Sequence, residues 1–373
     1  MIRPQRPHLC FVGWADHVHL ERWAGYFGRA GCDVSVVSFA GRGHYPKGVK
    51  QYCVGLKDRG PRWVEMKLRY LFWRIRPDIV HVHWAHFAVP VRNAWRGRLA
   101  VTVWGTDVYK PDNFSDTQWR EMRHSVSQAD LVTCDSQDLK RTITGTLGVP
   151  PSKVEVVQWG VDTDAFAPVG PNMRRALGLG TRDVVFSVRN FTPLYNQETV
   201  VEAFSRLRSQ RPNAFLLMKN YGGDPDYVSR IRADIRAKGI EEHSRIVESI
   251  AYEQMPDLYR TADVTISIPY SDATPMSLLE SMACGPIPIC SDLPSLREWI
   301  TDGENGFLVS ADNPDAIATR ILWALDGSPI IATFATRNRL MVEQRASQHV
   351  HMRRMGQMYD SLIKTAQVTY SGN

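Results

Sequence analysis

Short apolar runs alternate with helix-length stretches along almost the whole chain, and that alternation restricts the fold more than any other feature. Residues 8–13 form the first such run, 18–30 read as a helix stopped by Gly31, and 33–39 read as a second strand. An amphipathic helix is predicted over 62–75, and strand-like runs recur at 78–84, 99–104, 130–134 and 153–158. A second series begins at 183–188 and continues through 214–218, 245–247, 263–268, 287–290 and 307–309. Strands separated by helical connections pair in parallel, and 373 residues leave room for two domains with cores of their own. The expected fold class is α/β, two Rossmann-like doubly wound domains facing an interdomain cleft. Residues 1–167 make the first domain, 168–347 the second, and 348–373 a terminal helical segment with its helix over 351–364.

The stretch 271–291, SDATPMSLLESMACGPIPICS, holds the chemistry of the second half. Thr274 suits an N-cap, and Pro275 suits the first helical position, where its missing N–H costs nothing. A helix is expected over 276–284, stopped by Gly285, with Asp272 in the loop before it and Glu280 within it. A helix N-terminus presents N–H donors and the positive end of a dipole, which suits a phosphate. A carboxylate on the helix's open side accepts hydrogen bonds from the two hydroxyls of a ribose. An ordinary capped helix with a solvated Glu280 fits the same spacing.

Composition excludes several classes. A 43% hydrophobic, 23% charged chain is of the globular kind, and no apolar run reaches the ~18 residues of a membrane span. MIRPQRPHLCFVGW lacks a signal peptide's apolar core. The six scattered cysteines include no C-x-x-C pair and are expected as buried thiols of a cytoplasmic protein. A net charge of +6 with no block of five like charges argues against nucleic acid. It favours a basic face against the inner membrane leaflet. The G-x-G-x-x-G fingerprint is absent, which counts against a dehydrogenase. His81 and His83 leave one sheet face together, but no third ligand accompanies them and no metal is expected. Asp162 and Asp164 spell D-x-D, read here as a capped turn.

The run P-x-S-L-L-E-S-M-A-C-G-P-I-P from Pro275, the GVDTDAFAP of 160–168 and the DGENGFLV of 302–309 resemble the retaining glycosyltransferases of family 4, which have the GT-B fold. The resemblance runs from about Pro7 to Leu362 and is most specific at 271–290. It implies that Asp272, one methylene shorter than the usual glutamate, holds the donor sugar. The helix start at Thr274 and Pro275 takes the diphosphate, and Glu280 takes the ribose. A glycine-containing loop after the first strand places Gly13 beside the phosphates. Where the family reads T-x-H-G-x-D this chain has Trp104 for the histidine and keeps Asp107, so His17 or His83 would supply any imidazole. His83, nearer the strand's C-terminal end, is preferred. Of the arginine–lysine pair that neutralises the leaving diphosphate, Arg189 matches. Tyr195 and Asn196 stand where the lysine and its glycine would, and Lys219, at the end of a strand, is the compensating cation. The base-binding loop falls near 248–250, and the last helix folds back on the first domain. The implied reaction moves a sugar from a UDP- or GDP-sugar to a hydroxyl of a glycan, lipid-linked or small-molecule acceptor, without metal or cofactor. The catalytic set is then Arg189, Asp272, Asp107 and His83, and the donor-binding set Glu280, Lys219, Thr274, Pro275, Asn196 and Gly13. A non-catalytic nucleotide-sugar-binding subunit and a sugar-nucleotide epimerase are the alternatives.

Overall fold

The structure, a computed structural model, describes residues 7–55, 60–109, 111–248 and 250–370. It comprises two compact units. The first runs to Trp159 and takes in the segment from His349, and the second is Gly160–Gln348. In the first, seven parallel strands are β1 (His8–Gly13), β2 (Asp33–Ser38), β3 (Lys50–Cys53), β4 (Ile79–His83), β5 (Arg98–Thr102), β6 (Leu131–Cys134) and β7 (Val154–Val156), ordered β3-β2-β1-β4-β5-β6-β7. Helices α1 (Val18–Arg29), α2 (Pro61–Ile75), α3 (Ala88–Ala94), α4 (Asp116–Ser127) and α5 (Gln137–Thr146) connect them. Every residue of β4 is buried, as befits a central parallel strand covered on both faces. The strand order reverses direction between β1 and β4, the switch point where such sheets open a crevice at their strand C-termini. Gly13 and His83 end those two strands. A Cβ on Gly13 would stand 3.0 Å from the Trp84 ring and 3.3 Å from the His83 carbonyl, so a larger residue there would push the indole back from the strand end by a few tenths of an ångström. Trp84 itself has φ 73°, a backbone setting that non-glycine residues rarely adopt.

The second unit holds β8 (Asp183–Ser187), β9 (Ala214–Lys219), β10 (Ser244–Val247), β11 (Val264–Ser267), β12 (Ile287–Ser291) and β13 (Phe307–Val309), all parallel and ordered β10-β9-β8-β11-β12-β13. Its helices are α6 (Gln197–Leu207), α7 (Pro225–Ala237), α8 (Met255–Tyr259), α9 (Met276–Cys284), α10 (Pro314–Leu325) and α11 (Pro329–Arg345). Side chains alternate between two cores. Val185, Leu216 and Ile266 meet one helical layer, and Val184, Phe186 and Leu217 meet the other, with Leu279 and Met282 of α9. The switch point lies between β8 and β11. The DGENGFLV motif serves the fold. Buried Asn305 takes the Thr301 N–H at 2.8 Å and donates to the Trp299 carbonyl at 2.8 Å and to Asn338 at 2.9 Å. Asp162 Oδ1 accepts from the N–H groups of Asp164 and Ala165, which is the capped turn read from sequence.

Helix α12 (Gln348–Tyr370) ends the described chain and sends Tyr359 into the first unit. The Tyr359 hydroxyl accepts from Trp23 Nε1 at 3.2 Å and lies 2.5 Å from His81 Nδ1, whose other nitrogen is 2.7 Å from Thr102 Oγ1. Burial pushes the His81 imidazole down to about 3, so the network is neutral at pH 7. Tyr359→Phe orphans two buried polar groups at once. The expected loss is about 2–4 kcal/mol of that unit's stability, read as an earlier denaturant midpoint; an unchanged midpoint would show the network to be worthless. None of the six cysteines is in a disulfide, and four are buried as expected, but Cys32 is half-buried and Cys53 exposed. Among the described residues, no helix is long and apolar enough to cross a membrane.

Candidate functional site

Adjacent parallel strands β9, β8 and β11 deliver Lys219, Arg189 and the loop of Asp272 to one edge of the second sheet. Arg189 is the hub. Its Nη2 lies 2.9 Å from Asp272 Oδ2 with both side chains mostly buried. Its Nη1 donates to Ser277 Oγ at 3.2 Å, and its guanidinium stacks 4.0 Å above the Tyr195 ring. Burial opposes the guanidinium's charge, but Asp272 and Tyr195 outweigh it and raise the pKa, so the cation is secure. Burial likewise pushes the Asp272 carboxyl up, against the pull of Arg189. Gln197 fixes the backbone here: its amide donates to the Arg189 carbonyl at 2.8 Å and accepts from Ser187 Oγ at 2.6 Å.

Helix α9 has the bounds expected, but its start differs. Pro275 is the N-cap residue and Met276 the first helical one. Thr274 does not cap the helix. Its buried hydroxyl accepts from Trp299 Nε1 at 3.3 Å, a partner from a distant turn that sequence spacing does not reveal. The helix N-terminus still lies beside Arg189, whose Nη1 donates to Ser277 in the first turn of α9.

Glu280 is the larger correction. The sequence pattern puts it on an open face; it is 5% exposed, one turn into α9. The hydroxyls of Tyr252 and Tyr259 donate to its two oxygens at 2.8 and 3.1 Å, and burial together with this carboxylate holds the Tyr259 phenol well above its usual range. Tyr252 is 36% exposed, so one of the two donors borders solvent. Lys219 is half-buried above the Tyr221 ring. Burial lowers its pKa, Glu280 attracts its charge and Arg189 repels it, which puts all three in one electrostatic neighbourhood. Asn196, expected to face the donor, is 1% exposed. Its amide donates to the Ala311 carbonyl at 2.9 Å and accepts from Thr199 at 2.7 Å, so it serves the α6 start. Within the expected base-binding segment 248–250, Ser249 lies outside the described residues; the Glu248 carboxylate accepts from Asn220 Nδ2 at 2.8 Å.

In the first unit, the fold buries two of the candidates. His83, chosen as cleft-lining, is wholly buried, and neither ring nitrogen has a hydrogen-bond partner among the described residues. It lies between Trp23, 5.2 Å away, and Trp104, 5.7 Å away, and burial first, then the neighbouring histidines, keep it neutral. Asp107 Oδ2 accepts from the N–H of Ala85 at 2.8 Å and of Trp104 at 3.3 Å, tying together the loops after β4 and β5. Burial pushes its carboxyl up to about 6 despite those bonds. His17 caps α1 by accepting from the His19 N–H. Trp104, where a histidine was expected, stacks on His19 at 4.8 Å. Sequence reasoning missed Ser277, Gln197, Tyr252 and Tyr259. Only Ser277 carried a signal, since it lies inside the P-x-S-L-L-E run. Among the described residues, no three His, Cys, Asp or Glu side chains converge to hold a metal ion.

A family profile described as Glycosyl transferases group 1 matches residues 171–341, and one described as Glycosyltransferase Family 4 matches residues 17–165. The D-inositol 3-phosphate glycosyltransferase of Kribbella flavida is 25% identical over 259 residues, 65% of this chain and 61% of that protein. The chain thus aligns with about three fifths of that relative's length. Among solved structures, Anabaena HepE in complex with UDP-glucose matches with a TM-score of 0.82 at 18% identity, over 95% of this chain and 100% of that one. Sucrose-phosphate synthase from Thermosynechococcus elongatus matches with a TM-score of 0.82 at 18% identity, over 96% and 100%. These likenesses show the fold, two Rossmann-like units of the GT-B type.

Proposed function

The chain belongs to glycosyltransferase family 4, and we propose that it moves a hexose from a UDP- or GDP-sugar to an acceptor hydroxyl with retention of the anomeric configuration. The observation that supports this reading is the Arg189 hub. A guanidinium, a helix N-terminus and a nearby ammonium converge where a departing nucleoside diphosphate would need them. The bond between the sugar's anomeric carbon and the diphosphate oxygen breaks, and its electrons stay on the diphosphate. Arg189, Lys219 and the first N–H groups of α9 stabilise that charge, with no metal required. The acceptor oxygen bonds to the same face of the sugar, and its proton passes to the departing phosphate oxygen. Both oxygens of Asp272 are engaged, one by Arg189 and one by the Ala273 N–H at 3.0 Å. We therefore assign Asp272 to positioning Arg189, with Glu280 and its two tyrosines holding the ribose. The acceptor would be a glycan, a lipid-linked saccharide or a small molecule, met at the inner face of the membrane.

The test is direct. The purified protein is incubated with a panel of sugar nucleotides, with and without saccharide and lipid acceptors, and release of nucleoside diphosphate is followed. Release with one donor supports transfer; binding without release from any donor would make the chain a nucleotide-sugar-binding subunit, the reading that Trp104 in the histidine position favours. Conversion of the donor into its epimer would make it an epimerase. Glu280→Gln removes the charge but keeps the size, so UDP or GDP should bind about tenfold more weakly by calorimetry, the worth of one charged hydrogen bond. Unaltered affinity would remove Glu280 from the ribose site. Glu280→Ala is the poorer variant, because it also orphans the buried Tyr259 hydroxyl.

A further inference from the structure

Helix α2 carries two apolar faces. Val64, Leu68, Leu71, Phe72 and Ile75 are buried against the first unit. Met66, Tyr70 and Trp73 follow the i, i+4, i+7 spacing of a second stripe, on the opposite side of the helix. They are 63%, 48% and 68% exposed. Trp73 is the most exposed phenylalanine, tyrosine or tryptophan among the described residues. Three large apolar groups in a row gain nothing in water, and the core does not need them, since the other face already supplies it. What flanks them is as regular. Arg62 and Arg69 lie along one side of the stripe and Lys67 and Arg74 along the other, with exposed Arg76 just beyond the helix. The helix's one acid, Glu65, is taken up by Asn93 Nδ2 at 2.7 Å.

We propose that this face of α2 docks on an anionic lipid surface, with Met66, Tyr70 and Trp73 entering the headgroup layer and the arginines pairing with lipid phosphates. Aromatic rings with one polar edge settle at the boundary between headgroups and acyl chains, and guanidinium forks match phosphate oxygens. A helix of 15 residues, about 22 Å long, lies in that plane and does not cross it. Charge selects this occupant over a second copy of the chain. A two-fold pairing of the same face would bring its arginines against one another with no acid between them. The inference deepens the membrane-side part of the proposed function and is independent of the donor chemistry.

Co-sedimentation tests it, using vesicles of phosphatidylcholine alone and of phosphatidylcholine with phosphatidylglycerol, three to one. The parent protein is expected to partition at least tenfold better onto the anionic vesicles, and high salt should reduce the difference. Met66→Ser/Tyr70→Ser/Trp73→Ser should lower that partitioning tenfold or more. Arg62→Ala and Arg69→Ala should each lower it about fivefold. These positions are exposed, so the melting curve and diphosphate release from the donor with a soluble acceptor should match the parent. A parent without preference for anionic vesicles overturns the proposal, as does a triple variant that binds them like the parent. A parent that self-associates without lipid, and loses that association in the triple variant, also overturns it and assigns the face to a second copy. Failure of the donor reading would show separately, as no diphosphate release from the parent whatever the vesicles do.

Discussion

Arg189→Ala is expected to lower turnover at saturating donor on the order of 10²–10³-fold, the usual cost of removing one preorganised charge from a developing anion. Donor affinity should fall much less, because the charge it meets grows as the glycosidic bond breaks. The structure adds a complication that the experiment must absorb. Arg189 is also the partner of a mostly buried Asp272, 2.9 Å away, and deleting one member of such a pair destabilises by about 3–5 kcal/mol. The informative protein is therefore Arg189→Ala/Asp272→Asn, which removes both charges and should recover much of the lost stability. If it melts near the parent and is still slow, the rate loss belongs to chemistry. If the double variant turns over like the parent, Arg189 is a structural arginine and the leaving-group role is wrong. Arg189→Lys should fall between, since one ammonium cannot reach both Asp272 and Ser277 as the fork does.

The sheet architecture was legible because parallel strands buried on both faces read as apolar runs, and α9 kept its expected bounds because Gly285 stops it with φ 110°. Where the structure departs from the sequence pattern, the cause is a contact distant in sequence. The strand Lys50–Cys53 went unseen because it is an edge strand of mostly polar residues, recruited by β2. Glu280 reads as open because no sequence pattern announces that Tyr252 and Tyr259 cover it. His83 reads as crevice-lining from its place at the strand end, but indoles from α1 and from the loop after β5 close over it. Asp107 was aligned with a motif that leaves its bracing of Ala85 invisible. The arginine hub was half legible: Arg189 and Asp272 were named, but their engagement with each other was not.

Lys219→Met is expected to lower turnover about 10²-fold with little change in melting temperature, again as the loss of one preorganised charge. A departing diphosphate needs more than one cation, and Tyr195 and Asn196 occupy the place where a second would be expected. The structure removes Asn196 as a substitute, since both ends of its amide are bound to Ala311 and Thr199. It gives Tyr195 a different task, as the ring beneath the Arg189 guanidinium. Lys219 is left, at the end of β9 beside β8, in the electrostatic range of both Glu280 and Arg189. Burial lowers its pKa, Glu280 raises it and Arg189 lowers it further, so the negative charge of an incoming diphosphate would favour the ammonium. That gives a second readout. Donor binding should draw in a proton wherever Lys219 is partly neutral, so the parent's donor affinity should weaken toward high pH, and Lys219→Met should flatten that limb. Lys219→Arg should keep most of the rate, because charge matters here more than shape. The rival outcome is sharp as well: if Lys219→Met is silent in both rate and pH profile while Tyr195→Phe is slow, the phenol at Tyr195 stabilises the leaving group and Lys219 belongs to the surface.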